Sequence, residues 1–233
     1  MQPILPNLAA FTGLVMGRVY LVEDPDGLTL IDAGLELAAP RILRQLERLG
    51  RRPSEVKRIL ITHGHPDHIG GLPELKARTG AVVVAPAKDR AVIEGREVAQ
   101  RPPRGALSGL GRLMASSPAL MKGTPVDQVV EEGDTLPVLG GLQVLFTPGH
   151  SPGHVAYWQP EQGVLFCGDV MMRVPNLRPP IAAFTVDMAE NQRSLRRLVE
   201  LAPRVVCFGH GEPLTEGTAD KLRAYARKVG VMP

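Results

Sequence analysis

Apolar residues cluster in short runs separated by turn residues and by longer stretches of mixed polarity. Ile59, Leu60 and Ile61, then Val82, Val83 and Val84, then Val164, Leu165, Phe166 and Cys167, then Val205, Val206, Cys207 and Phe208 each form such a run. Runs this short, bounded by polar or glycine residues, predict buried strands. Between them the spacing becomes helical. Ile42, Leu43, Leu46 and Leu49 predict a helix over 38–49, closed by Gly50. Gly70, Gly71 and Pro73 open a second over 72–78. Asp187 reads as an N-cap with Glu190 at the third helical position, and that helix runs to about Leu201, where Pro203 stops it. A last helix is expected over 218–228. The Asp24-Pro25-Asp26-Gly27 turn predicts a hairpin between a β-rich 14–23 and a strand at 28–31. Segments 126–130, 136–139 and 142–146 read as a meander that builds a second sheet, and 155–158 with 164–167 as a hairpin about Gly163. This order predicts an α/β protein of two sheets flanked by helices, an αββα arrangement, with one domain over 1–233.

Residues 86–126 interrupt the rhythm. A short helix fits 88–94, but Arg101-Pro102-Pro103-Arg104-Gly105 cannot be helix interior. The apolar, glycine-interrupted 107–121 carries Met114 and Met121. Long excursions of this kind in compact domains often serve binding, so 86–126 is expected to be a lid or a pocket wall. It is also a candidate homodimer contact.

Composition narrows the class. Of the 233 residues 44% are hydrophobic and 22% charged, which excludes a disordered chain. The net charge of +3 is mild and dispersed, so nucleic acid is not an expected partner. No run approaches the eighteen or so apolar residues of a membrane span. The start, Met1-Gln2-Pro3-Ile4-Leu5-Pro6-Asn7, has neither the basic residues nor the apolar core of a secretory signal. The two cysteines, Cys167 and Cys207, sit in apolar runs and read as buried free thiols. Together these lead to the expectation of a cytoplasmic protein acting on a small molecule, without a membrane or nucleic-acid partner.

The chemistry concentrates in Thr62-His63-Gly64-His65-Pro66-Asp67-His68, which follows the run ending at Ile61 and precedes Gly70-Gly71. Three imidazoles and a carboxylate in six positions, on a strand-to-helix loop, are the donor set of zinc and its neighbours, not of calcium or magnesium. The chain has six histidines. The other three occupy Pro148-Gly149-His150-Ser151-Pro152-Gly153-His154 and Gly209-His210-Gly211, and Gly168-Asp169 ends another apolar run. Four strand ends therefore each deliver a histidine or aspartate into a turn with glycine, and these can converge only if the strand ends share one edge of the fold.

His63-x-His65-x-Asp67-His68, followed by His150, Asp169 and His210, resembles the metallo-β-lactamase-fold metallohydrolases. The resemblance extends over nearly the whole chain, from Asp32-Ala33-Gly34 to Gly209-His210-Gly211. It implies a four-layer αββα sandwich of that type. It assigns His63, His65 and His150 to one metal ion, Asp67, His68 and His210 to a second, and Asp169 to both. Zinc fits the donors and the family best, and iron and manganese accept the same set. The implied reaction is attack of a metal-bridging hydroxide on a carbonyl carbon, with Asp67 taking up or relaying a proton. Asp32 would brace the metal loop from outside the ligand set. His154, four residues after His150, is expected to hydrogen-bond a ligand or the substrate. Tyr157, Arg173 and Arg178 are candidate substrate contacts, the arginines as readers of an anion.

Departures from the family's branches narrow the reaction. No cysteine stands at Asp169, as it would in one subclass of zinc β-lactamases. The motif set is like that of glyoxalase II, but only 23 residues follow His210, so its helical C-terminal domain is expected to be missing. Val170-Met171-Met172 departs from the lactonases that carry a tyrosine just after the bridging aspartate. The expectation is a hydrolase of a small ester, thioester or lactone. The alternatives are a mononuclear iron oxidoreductase of the persulfide dioxygenase kind, and a phosphodiesterase.

Overall fold

A computed structural model describes residues 1–103, 105 and 119–233. Its first sheet takes β1 (Gln2–Leu5), β2 (Leu8–Ala10), β3 (Tyr20–Asp24), β4 (Gly27–Ile31), β5 (Val56–Leu60), β6 (Val82–Pro86) and β7 (Gln128–Val130) in that spatial order. Pairing is antiparallel from β1 to β4 and parallel from β4 to β7. The parallel crossovers carry the helices α1 (Ala39–Arg48), α2 (Pro66–Ile69), α3 (Leu72–Thr79) and α4 (Arg90–Ile93). The second sheet is built from β8 (Thr135–Leu136), β9 (Leu142–Phe146), β10 (Val155–Gln159), β11 (Val164–Gly168) and β14 (Val205–Phe208) in the order β14-β11-β10-β9-β8. A small ribbon pairs β12 (Met172–Arg173) with β13 (Leu177–Arg178). Helices α5 (Met188–Glu200) and α6 (Thr218–Lys228) close the chain.

The strands explain the layering by their alternation. In β5 and just beyond it, Ile59 and Ile61 face a cluster with Ile42, Leu46, Leu72 and Leu75 of α1 and α3, while Leu60 faces the other way. In β11, Val164 and Phe166 join Leu60, Val84 and Tyr157 between the sheets. Leu165 and Cys167 join Leu195, Leu198, Leu222 and Tyr225 of α5 and α6. Successive side chains point to opposite faces, so strands covered on both sides must be apolar at every position. Three apolar layers separate four layers of structure, and the expected αββα sandwich is present.

Several boundaries differ from the expectation. The segment around Leu14 and Val15 is a loop, and β3 begins only at Tyr20. Val15 is 78% exposed, so its apolar character does not come from a strand. The N-terminal hairpin β1–β2 gave no periodic signal because its strands are short and half-buried. The stretch expected to start the meander pairs with β6 instead, so β7 belongs to the first sheet. A local run cannot distinguish these two edges. Within 86–126, α4 is present and the excursion closes on itself, with Thr124 N–H donating to Ile93 C=O at 3.0 Å. Most of 107–121, including Met114, lies outside the described residues. Met121 packs against the first core cluster. Cys167 and Cys207 are buried free thiols on opposite faces of their sheet. Among the described residues no helix is long and apolar enough to cross a membrane.

Candidate metal centre and its cleft

Parallel pairing of β4 with β5, and of β11 with β14, places the C-terminal ends of these strands on one edge. From that edge β4 sends out Asp32, β5 the 62–68 loop, β11 Asp169 and β14 His210. The β9–β10 connection adds His150 and His154. The donor atoms of His63, His65 and His150 lie within 4.8 Å of one another, as do those of Asp67, His68 and His210, and those of His63, His68 and Asp169. All seven residues expected as ligands are therefore brought together. Asp169 spans the groups: Oδ1 is 3.5 Å from His68 Nε2, and Oδ2 is 3.4 Å from His150 Nε2 and 3.2 Å from His210 Nε2.

Hydrogen bonds behind the rings assign their tautomers. Thr62 Oγ1 donates to Asp32 Oδ2 at 2.9 Å, so it accepts from His63 Nδ1–H at 3.0 Å. His68 Nδ1 donates to Asp32 Oδ2 at 2.8 Å. Thr185 Oγ1 donates to Ile181 C=O at 3.0 Å, which leaves it to accept from His150 Nδ1–H at 3.1 Å. Each of the three rings then turns Nε2 toward the common centre. An N–H fixed by an oxygen partner is the usual way a ligating imidazole is oriented.

The donors at the centre fit a divalent cation. Nε2 of His63, Nε2 of His68 and Oδ1 of Asp169 are buried and have no hydrogen-bond partner. Orphaned buried polar atoms are rare because each costs free energy, and cations held at this centre would satisfy all three. His65 Nδ1 and His150 Nε2 approach to 2.8 Å, close enough to be donors to one cation.

Burial and charge divide the cluster. Burial holds His63 and His150 well below the usual imidazole range and His65 at about 4, so all three are neutral donors at neutral pH. Burial also opposes charge on His68, but Asp32, Asp169 and Asp67 outweigh it and lift that ring to about 9. His210 rises to about 10 against burial, through its contacts with Asp169 and Asp67. Burial alone would raise Asp67, yet His68 and His210 hold it at about 2. Asp169 is held far below the ordinary carboxylate range, because the same cations and His150 outweigh its burial.

Outside the ligand set, Asp32 braces the metal loop as expected. Its carboxylate accepts from Thr62 N–H at 2.8 Å, from Thr62 Oγ1 and from His68. Its φ of 63° is a left-handed conformation that aspartate tolerates better than most residues, and it aims the carboxylate at the loop. His154 is buried. Its Nε2 accepts the backbone N–H of Asp169 at 2.9 Å, and Nδ1 lies 2.7 Å from Thr147 Oγ1. It therefore holds a ligand's backbone and does not reach the cleft. Glycine at 209 is required by a close approach: a Cβ there would lie 2.0 Å from Asp169 Oδ1.

Three candidate substrate contacts are corrected. Tyr157 is fully buried between the sheets and donates its hydroxyl to Ile61 C=O at 2.8 Å. Its strand position points it inward, away from the site. Arg173 donates to the backbone carbonyls of Glu212 and Pro213, which staples the ribbon to the last turn. Arg178 is exposed on β13, and neither arginine lines the cleft.

Sequence reasoning missed four features. Asp89 is buried and accepts from Gly64 N–H, Gly153 N–H and Ser151 Oγ, tying the two histidine loops together. Burial raises its proton affinity against those three bonds. Thr185 orients His150, as above. Loop 12–18 forms a wall of the cleft, and Arg101 lines it too. Nothing periodic marks these residues; only the spacing of Asp89 from a strand end resembles the known ligand turns. The cleft measures about 720 Å³, with His65, Asp67, His150, Asp169 and His210 at its floor and Leu14, Met16, Leu35, Met172, Ile181 and Phe184 among its walls.

A model of the metallo-beta-lactamase superfamily matches residues 12–210. The probable metallo-hydrolase YybB of Bacillus subtilis is 31% identical over 198 residues, covering 84% of this chain and 81% of that protein. A hydroxyacylglutathione hydrolase of Methylobacterium nodulans is 36% identical over 170 residues, 72% of this chain but 52% of that enzyme, so the match spans about half its length. The crystal structure of a metallo-beta-lactamase family protein from Thermus thermophilus superposes with a TM-score of 0.71 at 26% identity, over 97% of this chain and 81% of that one. The sandwich, the converging donors and these matches agree: the chain belongs to the metallo-beta-lactamase superfamily.

Proposed function

We propose that this metallohydrolase cleaves small carbonyl compounds, namely esters, thioesters or lactones, using two divalent metal ions, with zinc the best fit. The observation that carries the reading is a pair of donor triads bridged by Asp169 at the floor of a cleft with largely apolar walls. His63, His65 and His150 would hold one ion, Asp67, His68 and His210 the other, and Asp169 both. Such ions, when bound, acidify water and polarise a carbonyl oxygen. The chain supplies the rest. Asp32, Thr62 and Thr185 fix the ring orientations, His154 fixes the backbone of Asp169, and the walls exclude bulk water. Asp67 lines the cleft, which places its Oδ2 where a proton could be taken up from the reacting groups. The hydroxyacylglutathione hydrolases among the relatives support the thioester arm.

The test is metal quantification on the purified protein, coupled to a screen of ester, thioester, lactone and phosphodiester substrates. Two ions per chain with turnover of a carbonyl substrate is the expected result. One iron per chain with oxygen-dependent consumption of a persulfide, or turnover confined to phosphodiesters, overturns it.

A further inference from the structure

The described cleft wall carries two arginines, Arg18 and Arg101. Arg18 pairs with the Glu212 carboxylate and reaches the Gln2 side-chain oxygen. Arg101 lines the same cleft, but its Nε is buried with no hydrogen-bond partner among the described residues. Its guanidinium carbon lies 4.7 Å from the centre of the Phe184 ring, over its face. Phe184 immediately precedes Thr185, whose hydroxyl orients His150. The stack therefore holds the cation in a fixed relation to the centre. Burial works against the charge on Arg101 and Asp67 works for it, yet a guanidinium keeps its proton at any working pH. A partly desolvated, charged donor against Phe184, in a cleft also lined by Ile181 and Met172, is costly to leave unpaired. A planar fork on an aromatic face matches a carboxylate, which it can grip through two parallel N–H donors.

We propose that Arg101 determines specificity: it recognises a carboxylate carried by the substrate at the end remote from the reacting carbonyl. The substrate class is then an acyl compound with a negatively charged tail and a short apolar body that spans the cleft. This rests on the carbonyl-hydrolase reading above, and one arm of the test does not depend on it.

The test compares two esters on metal-loaded protein, the p-nitrophenyl half-ester of adipic acid and p-nitrophenyl hexanoate. They differ in the terminal carboxylate. The expected result is a kcat/KM at least tenfold higher for the half-ester, expressed in KM. R101Q raises KM for the half-ester far more than for hexanoate and closes the gap. R101K keeps part of it, because an ammonium supplies charge without the fork. Circular dichroism and metal content identify any variant that has misfolded. A wild-type enzyme without the preference, or R101Q that retains it, overturns the proposal. If neither ester is cleaved, the screen described above decides the carbonyl-hydrolase reading, and calorimetry decides Arg101 alone. Then 4-phenylbutyrate should bind wild type at least tenfold more tightly than 4-phenylbutyramide, with the difference lost in R101Q. An equal difference in R101Q would show that the metal centre reads the carboxylate and would overturn the assignment.

Discussion

The two donor triads are neighbours with opposite electrostatic characters. His63, His65 and His150 are all buried, and burial keeps all three neutral. Asp67 and His210 are only partly buried, and with His68 they form a charged set in which the carboxylates of Asp32, Asp169 and Asp67 raise two imidazoles. The first triad presents lone pairs without competition from protons. The second must release protons before it can hold a cation. Because metal ligands bind in deprotonated form, the two halves should differ in affinity and in how that affinity depends on pH. Asp169 lies between them, beside His150 of the first and beside His68 and His210 of the second.

The most damaging changes are to the donors themselves. His65→Ala and Asp169→Ala should each lower turnover by at least about a hundredfold, more than is typical for outer-shell partners. Asp169→Ala should remove metal from both triads, and His65→Ala mainly from the first. Metal analysis beside kinetics checks this, and full occupancy in both variants would break the assignment. Next come the braces. Asp32→Asn should cost about 10–100-fold in activity or metal affinity, since it withdraws an acceptor from His68 and Thr62. Asp89→Asn should cost less but act on both histidine loops at once, lowering metal retention without touching the cleft. An Asp32→Asn enzyme with wild-type metal affinity would show that the rings are held by something else.

The pH dependence sharpens the contrast. Titration of metal-free protein with zinc, in buffers of different ionisation enthalpy, should show little proton release for the first equivalent and up to two protons for the second at pH 7. Affinity for the second should weaken as pH falls from about 9, by about tenfold per unit for each proton released. Equal proton release at both steps would erase the distinction. In the metal-free protein the sign for folding is the reverse. His68 rises from its ordinary 6.5 to about 9, so its stabilising contribution is complete below pH 6.5 and is lost as pH rises through 9. The smallest effect is expected at Tyr157. Tyr157→Phe leaves Ile61 C=O without its donor and should cost about 1 kcal/mol of stability, with kcat and KM unchanged, because the residue never reaches the cleft. A selective rise in KM would return Tyr157 to the site.

Much of the layering was legible because β6, β11, β14 and the C-terminal end of β5 are apolar at consecutive positions, as strands covered on both sides need to be. The ligand loop was legible because its donors are adjacent in sequence. Other features left no local trace. The segment 128–130 could join either sheet, and pairing with β6 decided it. Asp89 looks like an ordinary loop acidic residue until Gly64, Ser151 and Gly153 are brought around it from two distant loops.

By itself, the order of residues singled out the side chains that converge, His63, His65, Asp67, His68, His150, Asp169 and His210, because they cluster in glycine-containing turns after apolar runs. It also determined the succession of strands and helices, through periodicity. The tertiary structure alone decided what each neighbour of those groups does. His154 turned to the backbone of Asp169, Tyr157 into the core and Arg173 to the chain's last turn, while Arg101 came into the cleft from an excursion with no distinguishing pattern. The physical reason is that a donor's identity is local. Its partner, its burial and the direction it faces are set by segments that meet only when the two sheets close on each other.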